Sequence, residues 1–191
     1  MQGLGDYDRN SGYVMGDVTL TNETVKCNYD RGRMFTIDNV DNMDTAGIAF
    51  GRLAGEFIRT KVVPELDAFR FASYAGISGI SSATPATLSS GEEIIAALRA
   101  ATTKMDEDEV PFEDRHLFIT PTLDGMIMDL DTTKSKEVLS RFTTKTLVPQ
   151  TRFYTAIKLK SGKTSEEVGG YEKESSSGKD INFMVIHKPA V

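Results

Sequence analysis

The residues that most often carry catalysis are scarce in this chain of 191 residues. It contains one cysteine, Cys27, and two histidines, His116 and His187. Cys27 lies in a strand-like stretch with no histidine signalled beside it, which favours a structural cysteine over a reactive thiolate. The two histidines lie at the ends of strand-like runs, which favours a structural role over metal ligation. Because no nucleophile is paired with a base, we expect no catalytic residue, no metal site and no enzyme activity.

Motifs for binding cations and phosphates are imitated in the chain but not completed. Residues 38–44 (DNVDNMD) are rich in carboxylates, yet the central glycine and terminal glutamate of an EF-hand loop are absent. A turn followed by a helix cap explains this run better. Residues 162–164 (GKT) match the end of a P-loop, but Ile157 occupies the position of its first glycine. We therefore expect no cofactor.

Composition and charge narrow the possible partners. The chain has 22 Lys and Arg against 28 Asp and Glu, a net charge of −6, and a pI near 5.0. This acidity argues against a dedicated nucleic-acid binder, and no apolar run reaches the ~18 residues of a membrane helix. A single cysteine excludes an intramolecular disulfide and cysteine-rich zinc sites. We expect neither a sequence-specific nucleic-acid partner nor a membrane partner.

The first elements that the pattern predicts are strands. Residues 13–37 are rich in β-forming residues and begin after a polar, glycine-rich stretch. They predict an extended β-hairpin that is polar on both faces and protrudes from the body. A protruding hairpin is only marginally stable alone, so we expect it to lean on a partner.

The strongest helical signal covers residues 44–75, where apolar residues recur at three- and four-residue steps. Asp44 or Thr45 is the predicted cap. Pro64 lies inside the pattern and removes one N–H donor, so we expect a kink or break near Thr60–Lys61.

Three glycines, Gly47, Gly51 and Gly55, form one stripe on this helix. Each costs roughly 1 kcal/mol relative to alanine, a cost that is understandable where another backbone approaches closely. The alternative, a glycine-mediated membrane helix pair, is disfavoured because the other faces carry charged residues such as Arg52 and Glu56.

The rest of the chain mixes helices and strands without regular βαβ alternation, so the predicted fold class is α+β. The predicted order is a loop over 76–88, a helix that begins with the capping-box pair Ser90 and Glu93 and ends near Met105, an acidic run over 106–109, a buried strand over 117–119, a helix opening at Thr120-Pro121, an ambiguous polar stretch over 131–146, a strand over 152–159, a loop or loose hairpin over 161–180 and a final strand over 181–186. The acidic run reads as a solvated loop, with a charge-based contact as the alternative.

Six segments together resemble one protein family. They cover residues 18–25 (VTLTNETV), 30–38 (DRGRMFTID), 49–70 (AFGRLAGEFIRTKVVPELDAFR), 116–122 (HLFITPT), 148–153 (VPQTRF) and 180–187 (DINFMVIH). In this collinear order the chain resembles the major capsid (coat) proteins of tailed bacteriophages and prophages of Gram-positive bacteria.

The resemblance implies the Hong Kong 97-type capsid fold, which has an extended β-hairpin (the E-loop), a long spine helix with a peripheral sheet, and a mixed α/β axial domain. It places the E-loop and its root at residues 1–42, the spine helix at 43–76, the axial domain at 77–180 and a strand that returns to the peripheral domain at 181–191. By the same comparison we expect the chain to be truncated at both ends.

The function implied is that of a structural subunit which self-associates into pentamers and hexamers to build the shell around the genome. Its expected location is the virion, after synthesis in the cytoplasm of a bacterial host, with scaffolding and portal proteins as further partners. The candidate inter-subunit contacts are Tyr13, Val14, Asn22, Lys26, Asp106, Glu107, Asp108 and Glu109, and the helix stripe is Gly47, Gly51 and Gly55. The alternative is a phage-derived, non-enzymatic binding or adaptor module that acts through its hairpin.

Overall fold

The computed structural model of the chain describes residues 4–16, 18–22, 24, 28–36, 43, 48–130, 132–163 and 168–190. Helices and strands are mixed in these residues, which confirms the predicted α+β class. The helices are α1 (Ile48–Phe57), α2 (Val63–Gly76), α3 (Gly91–Glu107), α4 (Pro121–Met128) and α5 (Thr133–Leu139). The strands are β1 (Arg115–Ile119), β2 (Thr144–Leu147), β3 (Ile157–Lys160), β4 (Gly170–Lys173) and β5 (Phe183–His187).

One long helix is formed by α1 and α2, which are joined by a π-helical turn at Ile58–Val62. In this turn the Val63 N–H donates to the carbonyl of Ile58, five residues earlier. The wider turn lets the helix continue past Pro64, which has no N–H of its own to donate. The predicted irregularity is thus confirmed as a π turn, whereas the predicted cap at Asp44 or Thr45 lies outside the described residues.

The starts of α3 and α4 follow the sequence signals. Ser90 caps α3 by accepting the Glu93 N–H at 3.3 Å, and the Glu93 carboxylate accepts the Ser89 N–H at 2.8 Å. Thr120 precedes α4, whose first residue is Pro121. Gly91 allows α3 to lie against α4, because a Cβ at this position would collide with the Met126 carbonyl.

The central sheet has the strand order β2-β1-β5. The crossover from β1 through α4 and α5 leads to β2, which pairs parallel to β1 with Leu117 opposite Lys145. β5 pairs antiparallel on the other edge of β1, with Leu117 opposite Val185. The ambiguous stretch over 131–146 therefore supplies α5 and most of β2.

Both faces of this sheet are covered, because successive side chains of a strand point to opposite faces. Leu117 and Ile119 face the first core, whereas Phe118 packs against the second. The buried residues of the first core are Ile94, Ile95, Leu98, Leu117, Ile119, Leu123, Ile127, Val138 and Phe142. Those of the second core are Phe71, Val148, Phe153 and Ile181. Helices α3 to α5 thus cover one face, and α2 covers the other.

A separate antiparallel hairpin is formed by β3 and β4, with Leu159 opposite Tyr171. The strand predicted over 152–159 is therefore shorter than expected, because Gln150–Arg152 forms a 3-10 turn and β3 begins only at Ile157. The predicted loose hairpin over 161–180 supplies β4, and the final strand is confirmed as β5.

The prediction of a β-hairpin over residues 13–37 is wrong for the residues that the structure describes. None of them is in a strand, and the one strand-like pair in this region is an isolated bridge between Asp8 and Gly12. The physical reason is that alternation alone does not form a sheet when no partner strand buries either face. We call the described residues between 4 and 36 the N-terminal segment.

The predicted domain boundaries at residues 42, 76 and 180 remain predictions. The pairing of β5 with β1 nevertheless places residues 183–187 in the same sheet as β1 and β2. The last predicted unit therefore shares its sheet with the unit before it.

Candidate subunit interface

The first half of the long helix has an apolar surface that nothing in the described chain covers. Neither α1 nor the π turn contains a buried residue. Phe50 is the clearest example, because 60% of its surface is exposed. The large apolar side chains exposed along this helix are Ile48, Phe50, Leu53, Ile58, Val62 and Val63. The helix turns inward only in α2, where Ala68 and Phe71 are buried.

The predicted role of the glycine stripe is not fulfilled within the chain. A Cβ added at Gly51 or at Gly55 would meet no described atom within 4 Å. Gly47 lies outside the described residues. The expectation that this stripe packs against the chain's own sheet is therefore wrong for Gly51 and Gly55, because the helix extends beyond the part of the body that the sheet covers.

The N-terminal segment exposes apolar side chains as well. Tyr13 and Val14, both predicted as contact residues, are exposed, and the Tyr13 ring lies 5.0 Å from the ring of Tyr7. The other exposed apolar residues of this segment are Leu4, Tyr7, Met15, Val18, Leu20, Met34 and Phe35. Asn22 is also exposed, and Lys26 lies outside the described residues.

The segment is attached to the body near its end. The Arg31 guanidinium forms an ion pair with Glu65 of α2, and the Tyr29 hydroxyl donates to the same carboxylate oxygen at 3.1 Å. Arg33 donates to the Val168 carbonyl at 2.9 Å, and the ring of Phe35 lies 4.9 Å from that of Phe57 in α1. Sequence reasoning did not single out these residues, because arginines in a polar stretch carry no signal for their distant partners.

The acidic run over residues 106–109 is not a loop throughout, since Asp106 and Glu107 form the last turn of α3. Asp106 accepts from the Arg115 guanidinium at 2.6 Å and from Arg141 at 3.3 Å. The Arg115 side chain is fully buried and also donates to the carbonyls of Val110 and Pro111. Asp106 therefore holds a buried charge inside the chain, which corrects its prediction as a contact to another subunit.

The other three acidic residues, Glu107, Asp108 and Glu109, are exposed. Asp108 accepts a hydrogen bond from Lys104 at 2.7 Å, and this bond raises the pKa of the Lys104 ammonium. Glu109 ends the run in a left-handed conformation, at φ 57°. These three side chains remain accessible to a partner.

The histidines do not form a reactive site with other described residues. His116 lies in β1, where its Nδ1 is 2.6 Å from the Thr144 hydroxyl and its Nε2 is buried without a described partner. His187 ends β5, as the sequence predicts, and Cys27 lies outside the described residues. In the described part of the chain, no three His, Cys, Asp or Glu residues are close enough to share a metal ion.

Two shallow grooves were also considered. One, of about 260 Å³, lies between α4 and α5 and includes Lys145, whose ammonium is paired with the buried Asp124 at 2.8 Å. The other, of about 480 Å³, runs along α3 beside Arg99 and Glu107. Neither lining contains a histidine or a cysteine. The exposed long helix and N-terminal segment are therefore the surfaces that call for a partner.

No helix among the described residues combines the length and the apolar character that crossing a membrane requires. Comparisons with family models, curated proteins and solved structures found no match for this chain.

Proposed function

We propose that this chain is the structural subunit of a phage capsid of the Hong Kong 97 type, which self-associates into pentamers and hexamers. The observation that carries the proposal is the long helix, whose residues 48–62 bury nothing against the described chain. Burying a Phe, Leu or Ile side chain is worth about 1.5–3 kcal/mol. A helix with six such exposed side chains is stabilised when another molecule covers it.

The N-terminal segment supports the same proposal. It forms no strand in the described residues, exposes apolar side chains along its length and is fixed to the body near its end, at Tyr29, Arg31 and Arg33. A segment of this kind buries its side chains on a neighbouring molecule rather than on its own. Its position next to α1, through Phe35 and Phe57, makes the two exposed surfaces neighbours.

The partner proposed is a second copy of the chain, because closed rings reuse one pair of surfaces in every subunit. The sequence segments described above give this assembly its class, a shell that encloses a genome. A subunit with a net charge of −6 suits a shell that does not grip DNA sequence. We include in the proposal that the chain acts without catalysis, in the virion, after synthesis in the bacterial cytoplasm, and with scaffolding and portal proteins as further partners.

The proposal is tested by measuring mass in solution with light scattering after size exclusion, and by imaging each peak in negative stain. We expect rings of five or six copies or closed shells, in place of a 21.0 kDa monomer. A closed dimer that grows no further would contradict the proposal and favour the alternative, a binding module.

A pair of variants then locates the interface. Phe50→Ser removes an exposed apolar side chain from α1 and is expected to reduce assembly without lowering the free energy of unfolding of the monomer. Met128→Ser is the matched control, because 64% of the Met128 surface is exposed, against 60% for Phe50, at the end of α4. Equal loss of assembly in both variants would show that α1 is not the interface.

A further inference from the structure

Arg31 lies where three parts of the chain meet. Its Nε is 2.5 Å from a carboxylate oxygen of Glu65 in α2. Its Nη2 donates to the carbonyls of Lys160 at 2.6 Å and Gly170 at 3.3 Å. These two carbonyls belong to paired residues at the open end of the β3–β4 hairpin. One guanidinium therefore ties the N-terminal segment to the long helix and to the hairpin at once.

The partners of Arg31 are held in place by their own surroundings. The side chain of Glu65 is only 12% exposed and that of Arg31 only 25%, so this ion pair is shielded more than a surface pair. Tyr29 donates to Glu65 and its ring lies 4.7 Å from that of Phe69. Gly170 has φ +88°, a conformation that side chains rarely adopt, and this conformation sets the direction of the carbonyl that Arg31 meets.

The geometry of this clasp suits arginine specifically. A guanidinium presents several N–H donors in a rigid plane, whereas a lysine ammonium is a compact charge on a flexible chain. Arg33, two residues later, makes a single described hydrogen bond, to Val168. Arg31 and Arg33 thus leave the same stretch of backbone, but only Arg31 joins three elements.

We infer that Arg31 is the positioning residue of the N-terminal segment: its clasp on Glu65, Lys160 and Gly170 fixes where the segment leaves the body and therefore which way it reaches toward a neighbour. The consequence for assembly rests on the proposed function. The positioning itself does not, because all its contacts lie within one chain.

The first test is cleavage by chymotrypsin after Tyr29, which is half-buried, compared with cleavage after the exposed Tyr13 in the same molecule. Arg31→Ala is expected to speed cleavage after Tyr29 about tenfold, the change in open population that ~1.4 kcal/mol produces. Arg33→Ala is the matched control and is expected to leave this rate nearly unchanged. Arg31→Lys is expected to fall between the two.

The second test measures the ionisation of Tyr29 by NMR in protein with isotope-labelled tyrosine rings. Burial and then the hydrogen bond to Glu65 raise the pKa of Tyr29, while the positive charge of Arg31 lowers it. If Arg31→Ala releases the segment, Tyr29 loses both burial and Glu65, and its pKa falls toward 10.0. If the segment stays in place, only the positive charge is lost, and the pKa rises.

A rise in that pKa, or equal cleavage rates in the Arg31→Ala and Arg33→Ala proteins, would overturn the inference. Both tests read the single chain and are independent of shell formation. If the chain fails to assemble but Arg31→Ala releases the segment, the proposed function fails and the positioning role stands. If shells form and Arg31→Ala leaves Tyr29 in place, the reverse holds.

Discussion

At the scale of single residues, the burial of Arg115 depends on Asp106. The guanidinium is fully buried, and Asp106 supplies the carboxylate that compensates its charge. Removing one partner of a buried pair leaves the other charge unpaired, at a cost of roughly 3–5 kcal/mol. Because Asp106 keeps some exposure to water, we expect Asp106→Ala to lower the free energy of unfolding by about 3 kcal/mol, as measured by urea denaturation.

The matched control for this prediction is Asp108→Ala. Asp108 forms an ion pair of similar length with Lys104, but both side chains are about half exposed. Exposed pairs of this kind contribute roughly 0–1 kcal/mol. Equal destabilisation by the two variants would mean that Arg115 is stabilised by its carbonyl partners alone.

Glu93 gives the chain a predictable response to acid. Hydrogen bonds from the backbone and side chain of Ser89 lower the pKa of the Glu93 carboxyl. A lowered pKa means that the contribution to stability is present above 4.5 and is lost as the pH falls through the value in the folded protein. Glu93→Gln is therefore expected to be less stable than the parent at about pH 6 and to match it at about pH 3.

Urea midpoints at the two pH values measure this difference. Glu92→Gln serves as the control, because Glu92 lies on the same first turn of α3 and makes no hydrogen bond to Ser89. A Glu93→Gln protein that differs from the parent by the same amount at both pH values would show that the carboxylate is not the origin of the effect.

At the scale of secondary-structure elements, the glycine stripe of α1 makes a prediction with opposite signs for the monomer and the assembly. A methyl group at Gly51 or Gly55 enters open space in the single chain. Alanine is favoured over glycine in a helix by about 1 kcal/mol. Gly51→Ala is therefore expected to stabilise α1 in the monomer, as amide hydrogen exchange would show, and to reduce assembly if a neighbour's backbone approaches the stripe.

Gly125→Ala is the control for that experiment, since Gly125 lies inside α4 and its added Cβ also meets open space. It is expected to stabilise its helix without affecting assembly. If the Gly51→Ala protein assembles as well as the Gly125→Ala protein, no neighbour's backbone lies against α1.

At the scale of the whole molecule, β1 joins the two cores. Leu117 contributes to the core under α3, and Phe118 packs against Phe71 at 5.3 Å in the core under α2. Because both cores share one strand, we expect them to unfold together. Phe71→Ala and Leu98→Ala are each expected to lower the free energy of one common transition by about 3 kcal/mol.

Urea unfolding followed by tyrosine fluorescence and by far-ultraviolet circular dichroism tests this cooperativity. Coincident transitions are expected for the parent and for both variants. Two separate transitions, each shifted by only one of the substitutions, would show that the long helix and the α3–α5 layer are independent domains.

The amino-acid sequence by itself determined the elements whose signals are local. The caps of α3 and α4, the irregularity before Pro64, the strand around Leu117 and the last strand all follow from side chains that act on their own backbone or repeat with a fixed period. The α+β class follows from the order of these elements.

Only the tertiary structure decided which of those surfaces are used within the chain. The N-terminal segment alternates like a strand yet has no partner strand in the described residues, and Arg31 meets carbonyls more than a hundred positions away in the sequence. The sequence likewise marked Gly51 and Gly55 but could not tell that their side of α1 stays open. Long-range contacts depend on how whole elements are placed in space, and a linear pattern carries no record of that placement.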